Sequence, residues 1–237
     1  MMEVLLMTGT IRPFSNIKHC NVNTRYAEYM ENIKRYIMLS NFDAVIFAEN
    51  SGYEIDPEYF EKLAEENNKK FEYINVSMDN GVSSTNMSVG DASIIKAALK
   101  RSKILTEHGL NCFWKVSGRL WINNINLILA KTRDKEKNVF LYAPKYDSIQ
   151  TWLFKANIKE LKNFFLTDEA IDSMKNSCIE YAFKTVYNEH KKELEVDRFP
   201  AYPDVQGVNS SGNQYTSSRG KLYLRNFFLR AGYYTVR

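Results

Sequence analysis

Short runs of consecutive apolar residues alternate along the chain with longer segments in which apolar residues recur every three or four positions. Short runs are typical of buried strands, and the three-to-four spacing is typical of amphipathic helices. The pattern predicts strands at 3–8, 43–48, 71–77, 111–117, 139–143 and 149–155. It predicts helices at 25–39, 57–69, 91–105 and 167–193, the third of them capped by Asp91.

Strands and helices therefore alternate through most of the chain, and this order predicts an α/β fold. We expect a mainly parallel sheet with helices on its faces, becoming mixed toward the end. A length of 237 residues suits one large domain. We assign 1–197 to this domain and 198–237 to a basic, aromatic segment packed on it.

The stretch 111–124 is predicted to be a buried strand that ends in a polar loop. Lys115, Ser117 and Arg119 stand at alternate positions, so in an extended segment they share one side. Gly118 lets the backbone turn or a ligand approach closely. Two cations and a hydroxyl at a strand end suit an anion such as a diphosphate. A strand with a merely hydrated polar side explains the same spacing, and both interpretations stay open.

Two other predicted strands also end in polar residues. Thr8, Gly9 and Thr10 follow the first strand, and Glu49 and Asn50 follow the second. Loops at the carboxyl ends of parallel strands are where α/β sheets bind ligands. The sequence contains neither GxGxxG nor GxxxxGK[ST], so a dinucleotide site or a P-loop lacks its main support.

The basic residues are unevenly distributed. The net charge of the whole chain is +4. Residues 198–237 hold six basic residues against Asp204 alone, a net charge of +5. This favours an anionic partner, either phosphate groups or a membrane surface. The apolar residues 227–229 between Arg225 and Arg230 would either enter a membrane interface or pack on the domain. No nucleic-acid motif appears, so we expect no nucleic-acid partner.

The remaining composition narrows the class of protein. The three cysteines are far apart and form no CxxC, which fits a reducing compartment. The histidines show no metal-ligand spacing, and no GxSxG motif supports a hydrolase. The sequence shows no signal peptide and no apolar run of about 20 residues. We expect a cytoplasmic protein, with contact to the inner face of a membrane as an open alternative.

Several segments, in their order, resemble small bacterial glycosyltransferases of capsule, O-antigen and lipooligosaccharide biosynthesis clusters. The first is the strand and Thr-Gly-Thr turn, and the second is an F-x-E-N-S-G segment. The third is K-V-S-G-R followed by Asn, and the last is R-F-P-x-Y-P followed by a Gly-Ser segment. They lie at 6–10, 45–52, 115–123, 198–203 and 207–212.

This resemblance implies a single GT-A-like (Rossmann-like) domain that binds a nucleotide-sugar donor, UDP-, GDP- or CMP-linked. The implied donor-binding residues are Thr8, Gly9, Thr10, Arg12, Asn50, Lys115, Ser117, Gly118 and Arg119. The implied acceptor-binding residues, in the late segments, are Arg198, Tyr202 and Ser210. The acceptor would be a glycan or a lipid-linked oligosaccharide.

The family usually holds a divalent metal with a DxD motif after the fourth strand, and this chain has no DxD there. We assign no metal ligand and expect Arg119 and Lys115 to balance the charge of the diphosphate instead. A divalent metal stays open, with Asp79, Asp91 and Asp147 as the side chains to reconsider.

Direct displacement needs a carboxylate as general base on the acceptor hydroxyl. We name Glu180 and Glu49 as catalytic candidates, with Asp91 and Asp147 behind them. Glu180 equally suits a solvated helix position, and Asp91 suits a helix cap better than catalysis.

The sequence thus predicts a nucleotide-sugar-dependent glycosyltransferase that acts on a bacterial surface polysaccharide or lipooligosaccharide. The predicted reaction is inverting and independent of metal. A non-catalytic nucleotide- or glycan-binding α/β module is the alternative, and a phosphate-handling enzyme is a third reading.

Overall fold

The computed structural model describes residues 2–14, 18–77, 86–107, 109–133, 135–209, 212–215 and 218–236. The strands of these residues are β1 (Val4–Gly9), β2 (Ala44–Glu49), β3 (Lys70–Asn75), β4 (Cys112–Ser117), β5 (Leu120–Ile122), β6 (Asn138–Ala143), β7 (Ser148–Asn157), β8 (Val196–Arg198), β9 (Val205–Val208) and β10 (Gln214–Tyr215). The helices are α1 (Val22–Leu39), α2 (Pro57–Glu66), α3 (Met87–Arg101), α4 (Lys103–Glu107), α5 (Ile125–Ala130), α6 (Ile158–Glu160), α7 (Asp168–Ser173), α8 (Ile179–His190) and α9 (Arg219–Arg230).

Within the described ranges, seven strands form one sheet in the order β3-β2-β1-β4-β7-β6-β8. Neighbours from β3 to β4 pair in parallel, as do β6 and β8, whereas β7 runs antiparallel to both β4 and β6. A smaller antiparallel sheet has the order β10-β9-β5. The predicted α/β class, with a mainly parallel mixed sheet between helices, is confirmed.

Hydrophobic clusters cover both faces of the large sheet. Successive residues of β1 enter opposite clusters, Val4 and Leu6 one, Leu5 and Met7 the other. The cluster that contains Val4 also contains apolar residues of α3 and α8, and the other contains those of α1, α2 and α5. Burial on both faces explains why the central strands are continuous apolar runs rather than alternating patterns.

The predicted helix over 167–193 is two helices. The helix α7 ends at Ser173, and α8 begins only after Cys178, which is its extended N-cap residue. The side chain of Thr167 accepts a hydrogen bond from the backbone N–H of Ala170 and caps α7. Met174 and Cys178 continue the three-to-four spacing of the apolar residues on both sides of this break. The spacing alone therefore predicts one helix, and that prediction is wrong.

The start of α3 also differs from the prediction. Its N-cap is Asn86, whose side chain accepts from the backbone N–H groups of Ser88 and Val89. Asp91 therefore lies inside the helix, and the prediction that it caps the helix is wrong.

The segment after residue 197 completes both hydrophobic clusters. Phe199, Val205 and Leu229 belong to the cluster of α1, and Val236 belongs to the cluster of α8. Among the described residues, no helix is both long enough and apolar enough to cross a membrane.

Candidate active site

A cleft of about 400 Å³ lies at the carboxyl ends of β1 and β4, in the middle of the large sheet. The strand order reverses between these two strands, because β2 and β3 follow on one side of β1 and β4 lies on the other. Open α/β sheets bind ligands at such a switch point. The first residues of α3 and of α8 also line the cleft, so two positive helix ends border it.

Most of the predicted donor-binding residues line this cleft. They are Thr8, Gly9, Thr10, Asn50, Ser117, Gly118 and Arg119. Of the predicted catalytic residues, Glu180 lines it too. Side chains that the sequence analysis did not select are Arg25, Tyr29, Thr151, Trp152 and Tyr215. They come from helices and strands distant in sequence. Tyr29 alone belongs to the apolar stripe that predicts the helix over 25–39, and that stripe indicates only burial.

Lys115 lies behind the wall of the cleft. Its side chain is fully buried, and its ammonium donates to Asp91 Oδ2 at 2.7 Å and to the carbonyl of Thr151 at 2.9 Å. Thr8 donates its hydroxyl to the other oxygen of Asp91 at 2.9 Å. The carboxylate of Asp91 therefore lines the cleft with two protein donors already bound, and it offsets the charge of Lys115.

Glu49 lies away from the cleft wall and is fully buried. Its carboxylate accepts from the backbone N–H groups of Ile11 at 3.0 Å, Ser51 at 2.9 Å and Tyr53 at 3.2 Å, and from the Ser51 hydroxyl. A general base must reach the proton that it removes. The structure therefore removes the support for Glu49 as a base, since this carboxylate holds together the loops after β1 and β2.

The loop after β1 is fixed from the side of α1. Arg25, which is buried, donates through Nε to the carbonyls of Thr10 at 3.0 Å and Ile11 at 3.2 Å. The Tyr29 hydroxyl accepts from the N–H of Thr10 at 3.0 Å. Arg12 follows this loop with an exposed side chain outside the cleft, its guanidinium 5.8 Å from the ring of Tyr53. Buried contacts thus fix this wall of the cleft.

Arg119 lies on the wall of the cleft beside Ser117 and Gly118. Its Nη1 donates to the carbonyl of Val208 at 2.6 Å, and the guanidinium lies 3.9 Å from Glu28. The arginine guanidinium has five N–H donors, so after the hydrogen bond to the Val208 carbonyl further N–H groups remain for a ligand.

Glu180 lies in the first turn of α8, and Thr151 donates its hydroxyl to Glu180 Oε1 at 3.2 Å. A second hollow of about 250 Å³ shares Cys178 and Glu180 with the cleft. Its other lining residues are Tyr146, Ser148, Gln150 and Tyr181. Glu180 therefore lies between two hollows. The break before α8 creates this position, because it turns Glu180 from a mid-helix residue into a helix-start residue.

Burial affects the titration of two groups beside Glu180. It raises the pKa of the Tyr215 hydroxyl, and the nearby Glu180 carboxylate adds to the rise. Burial likewise raises the pKa of the Cys178 thiol. Both groups are therefore neutral near pH 7, and Cys178 has little thiolate for nucleophilic chemistry.

The predicted acceptor-binding residues are not grouped in the cleft. Arg198 ends β8 and donates to the carbonyl of Arg230 at 3.3 Å. The ring of Tyr202 packs against Tyr234 and the guanidinium of Arg225. Neither lines the cleft or the second hollow, and Ser210 is outside the described residues.

Nowhere in the described ranges do three His, Cys, Asp or Glu side chains come together as a metal site would require. Of the carboxylates considered, Asp91 is bound by Lys115, and Asp147 accepts from the Tyr142 hydroxyl at 2.6 Å. Asp79 lies outside the described residues. A divalent metal stays open, and none of the described carboxylates is assigned to it.

Two glycines allow β1, β4 and α1 to meet at the cleft. A Cβ on Gly9 would lie 2.6 Å from the buried ring of Phe47 and 3.0 Å from that of Tyr29, and one on Gly118 would lie 3.1 Å from the carbonyl of Thr8.

We expect Gly9→Ala to lower the free energy of unfolding by about 1–3 kcal/mol, as over-packing of a core does. Urea denaturation of the purified protein measures this. Gly220→Ala is the matched control, because its added Cβ meets no atom within 4 Å, and its stability should be unchanged or slightly higher. Wild-type stability in Gly9→Ala would contradict the close packing.

No family model matches the chain, and none of the curated proteins matches it in sequence. Solved structures do match. The glycosyltransferase GlyE from Streptococcus pneumoniae TIGR4 superposes with a TM-score of 0.53 and 7% identity, over 84% of this chain and 45% of that chain. A protein described as a nucleotide-diphospho-sugar transferase, from Desulfovibrio desulfuricans G20, superposes with a TM-score of 0.50 and 11% identity, over 98% of this chain and 99% of that chain.

This chain therefore spans less than half the length of GlyE and nearly the whole of the Desulfovibrio protein. At such low identity the likeness establishes the fold alone. The predicted GT-A-like fold is thereby confirmed.

Proposed function

We propose that this chain is a nucleotide-sugar-dependent glycosyltransferase with a glycan or lipid-linked oligosaccharide acceptor. A single observation carries the proposal: a carboxylate, Glu180, lies between a cleft at the switch point of the sheet and a second hollow. Sugar transfer needs a donor, an acceptor and a base between them. The shared fold with two sugar-transfer proteins supports this reading.

The donor would occupy the larger cleft. Thr8, Gly9 and Thr10 would contact the nucleotide, and Arg119 would bind the diphosphate. A guanidinium group is suited to phosphate oxygens. The nucleotide, whether uridine, guanosine or cytidine, stays open, since a few pocket contacts decide it.

Glu180 would accept the proton of an acceptor hydroxyl bound on the side of the second hollow. The hydroxyl oxygen then forms the bond to the anomeric carbon as the bond from this carbon to the phosphate oxygen of the donor breaks. The leaving nucleotide, a diphosphate from a UDP- or GDP-sugar or a monophosphate from a CMP-sugar, keeps the electron pair, and Arg119 stabilises its charge. One displacement inverts the anomeric configuration. A bacterial surface polysaccharide or lipooligosaccharide is the acceptor that we propose.

We expect one family of nucleotides or nucleotide sugars to raise the melting temperature of the protein, both with EDTA and with Mn²⁺. A ligand at a hundredfold excess over its dissociation constant stabilises the folded state by about 2.7 kcal/mol. A shift only with Mn²⁺ would contradict the metal-independent reaction. No shift with any nucleotide would contradict donor binding and favour a glycan-binding module.

The role of Arg119 is tested with the same ligand. Arg119→Gln should weaken its binding by about 10- to 100-fold, since a hydrogen bond to a charged group contributes about 1.5–3 kcal/mol. Isothermal titration measures this. Arg133→Gln is the control. Arg133 forms an ion pair with Asp43, which precedes β2 and therefore lies at the amino ends of the parallel strands, away from the cleft. Equal binding by both variants would remove Arg119 from the donor site. Release of nucleoside diphosphate from the bound donor then separates an enzyme from a binding module.

A further inference from the structure

The helix α9 presents a broad apolar face to solvent. The exposed fractions are 77% for Tyr223, 53% for Leu224, 60% for Phe227 and 39% for Phe228. These positions are one and four residues apart, so on a helix they cover an arc of about 140°. Beyond the helix, Tyr233 is also exposed, and its ring lies 5.6 Å from that of Phe228. Contiguous exposed apolar side chains of this kind mark an interaction surface.

The opposite side of α9 is bound to the domain, which fixes the direction of the apolar face. Leu229 is only 2% exposed and belongs to the cluster of α1. The Asn226 side chain accepts from the N–H of Tyr202 at 2.9 Å, and the Arg225 guanidinium lies 4.9 Å from the Tyr202 ring. One side of α9 therefore packs on the domain, and the side that carries the aromatic residues is exposed and accessible to a partner.

The charge of α9 indicates the kind of partner. Its twelve residues contain four cations and no acidic residue. Lys221 lies at one edge of the apolar arc and Arg219 and Arg230 at the other, and all three are exposed. A second copy of this helix would bring like charges together, which disfavours self-association. An apolar face bordered by cations is complementary to a bilayer with anionic headgroups.

We propose that α9 is a membrane-docking surface, which lies in the plane of an anionic lipid bilayer with Tyr223, Leu224, Phe227 and Phe228 at the acyl boundary. Aromatic residues favour this depth, since their rings are apolar and a tyrosine hydroxyl reaches water. The cations at the edges of the arc contact the headgroups. The docking is separate from the sugar-transfer reaction and needs neither donor nor acceptor.

The docking surface is connected to the second hollow. The chain after α9 returns to the sheet, where the carbonyl of Tyr234 accepts from the N–H of Tyr142 at 3.0 Å. The Tyr142 hydroxyl donates to Asp147, which follows Tyr146 of the hollow. These contacts link the segment after α9 to the rim of the second hollow.

Co-sedimentation of the full chain with vesicles tests the proposal. We expect binding to phosphatidylcholine vesicles that contain a third phosphatidylglycerol, and much weaker binding to pure phosphatidylcholine. Raising the salt concentration should weaken it, because exposed charges are screened. Lys221→Gln with Arg230→Gln should weaken it by about fivefold for each cation removed. An absence of binding to anionic vesicles at low salt would overturn the proposal.

We expect the double variant Leu224→Ser with Phe227→Ser to lower the partition coefficient between anionic vesicles and water at least tenfold, because both side chains leave water on docking. Leu39→Ser with Leu127→Ser is the control, as these leucines are 56% and 48% exposed on other helices, and its binding should be unchanged. Circular dichroism of each variant verifies folding. Equal losses in both pairs would overturn the proposal. Sedimentation velocity tests for self-association. If the wild type is a dimer and the double variant Leu224→Ser with Phe227→Ser is a monomer, the membrane proposal is overturned in favour of a dimer interface.

Discussion

Replacing Glu180 with glutamine should lower the turnover of donor by about 10²- to 10⁴-fold while leaving donor affinity nearly unchanged. Glutamine keeps the size of the side chain and can still accept from Thr151, but it cannot take the proton of the acceptor hydroxyl. Release of nucleoside diphosphate from the donor found by thermal shift measures the rate, and isothermal titration measures the affinity.

Glu189→Gln is the matched control, because Glu189 lies exposed on the same helix. Its turnover should equal that of the wild type. If Glu180→Gln kept turnover within threefold of the wild type, the base would have to be another group of the cleft.

Removing the charge of Asp91 should destabilise the protein by about 3 kcal/mol, because it leaves a fully buried ammonium without its counter-ion. In Asp91→Asn, the amide oxygen and the Thr151 carbonyl can still accept from Lys115, but both are neutral and do not balance its charge. Lys115→Met should cost less, since Asp91 is partly exposed and retains the Thr8 hydroxyl. Urea denaturation gives the free energies of unfolding.

Asp91→Leu and Lys115→Met are also compared singly and together, and the double variant should recover most of the loss, as apolar replacements of buried ion pairs often do. Additive losses in the double variant would show that the two groups do not interact. The exposed pair Lys175–Asp172 is the control, and Asp172→Asn there should change stability little.

The sequence pattern located the central strands well, because strands buried on both faces are apolar at every position. It also located the cleft residues near Thr8, Asn50 and Ser117, since the ends of parallel strands meet at one edge of a sheet. These predictions rest on local sequence patterns, and the packing of distant segments does not change the structures that these patterns indicate.

The contacts that span the fold could not be predicted from local patterns. Lys115 and Asp91 are 24 positions apart, on a strand and a helix, and nothing in their spacing shows that they form an ion pair. Similarly, Glu49 looked like a cleft residue because it ends a strand, yet loop amides surround its carboxylate. The break before Cys178 had a local signal in Asn176 and Ser177, both poor helix formers.

The contribution of residues 229–236 to both hydrophobic clusters has a consequence for biosynthesis. Leu229 and Val236 pack in the clusters that contain residues of β1, so neither face of the sheet is fully covered until this segment has left the ribosome. Earlier strands are then synthesised with part of their apolar surface exposed, a state in which chains tend to aggregate. Nascent chains stalled before residue 229 should accordingly depend on chaperones, and chains extended past residue 236 should become resistant to protease.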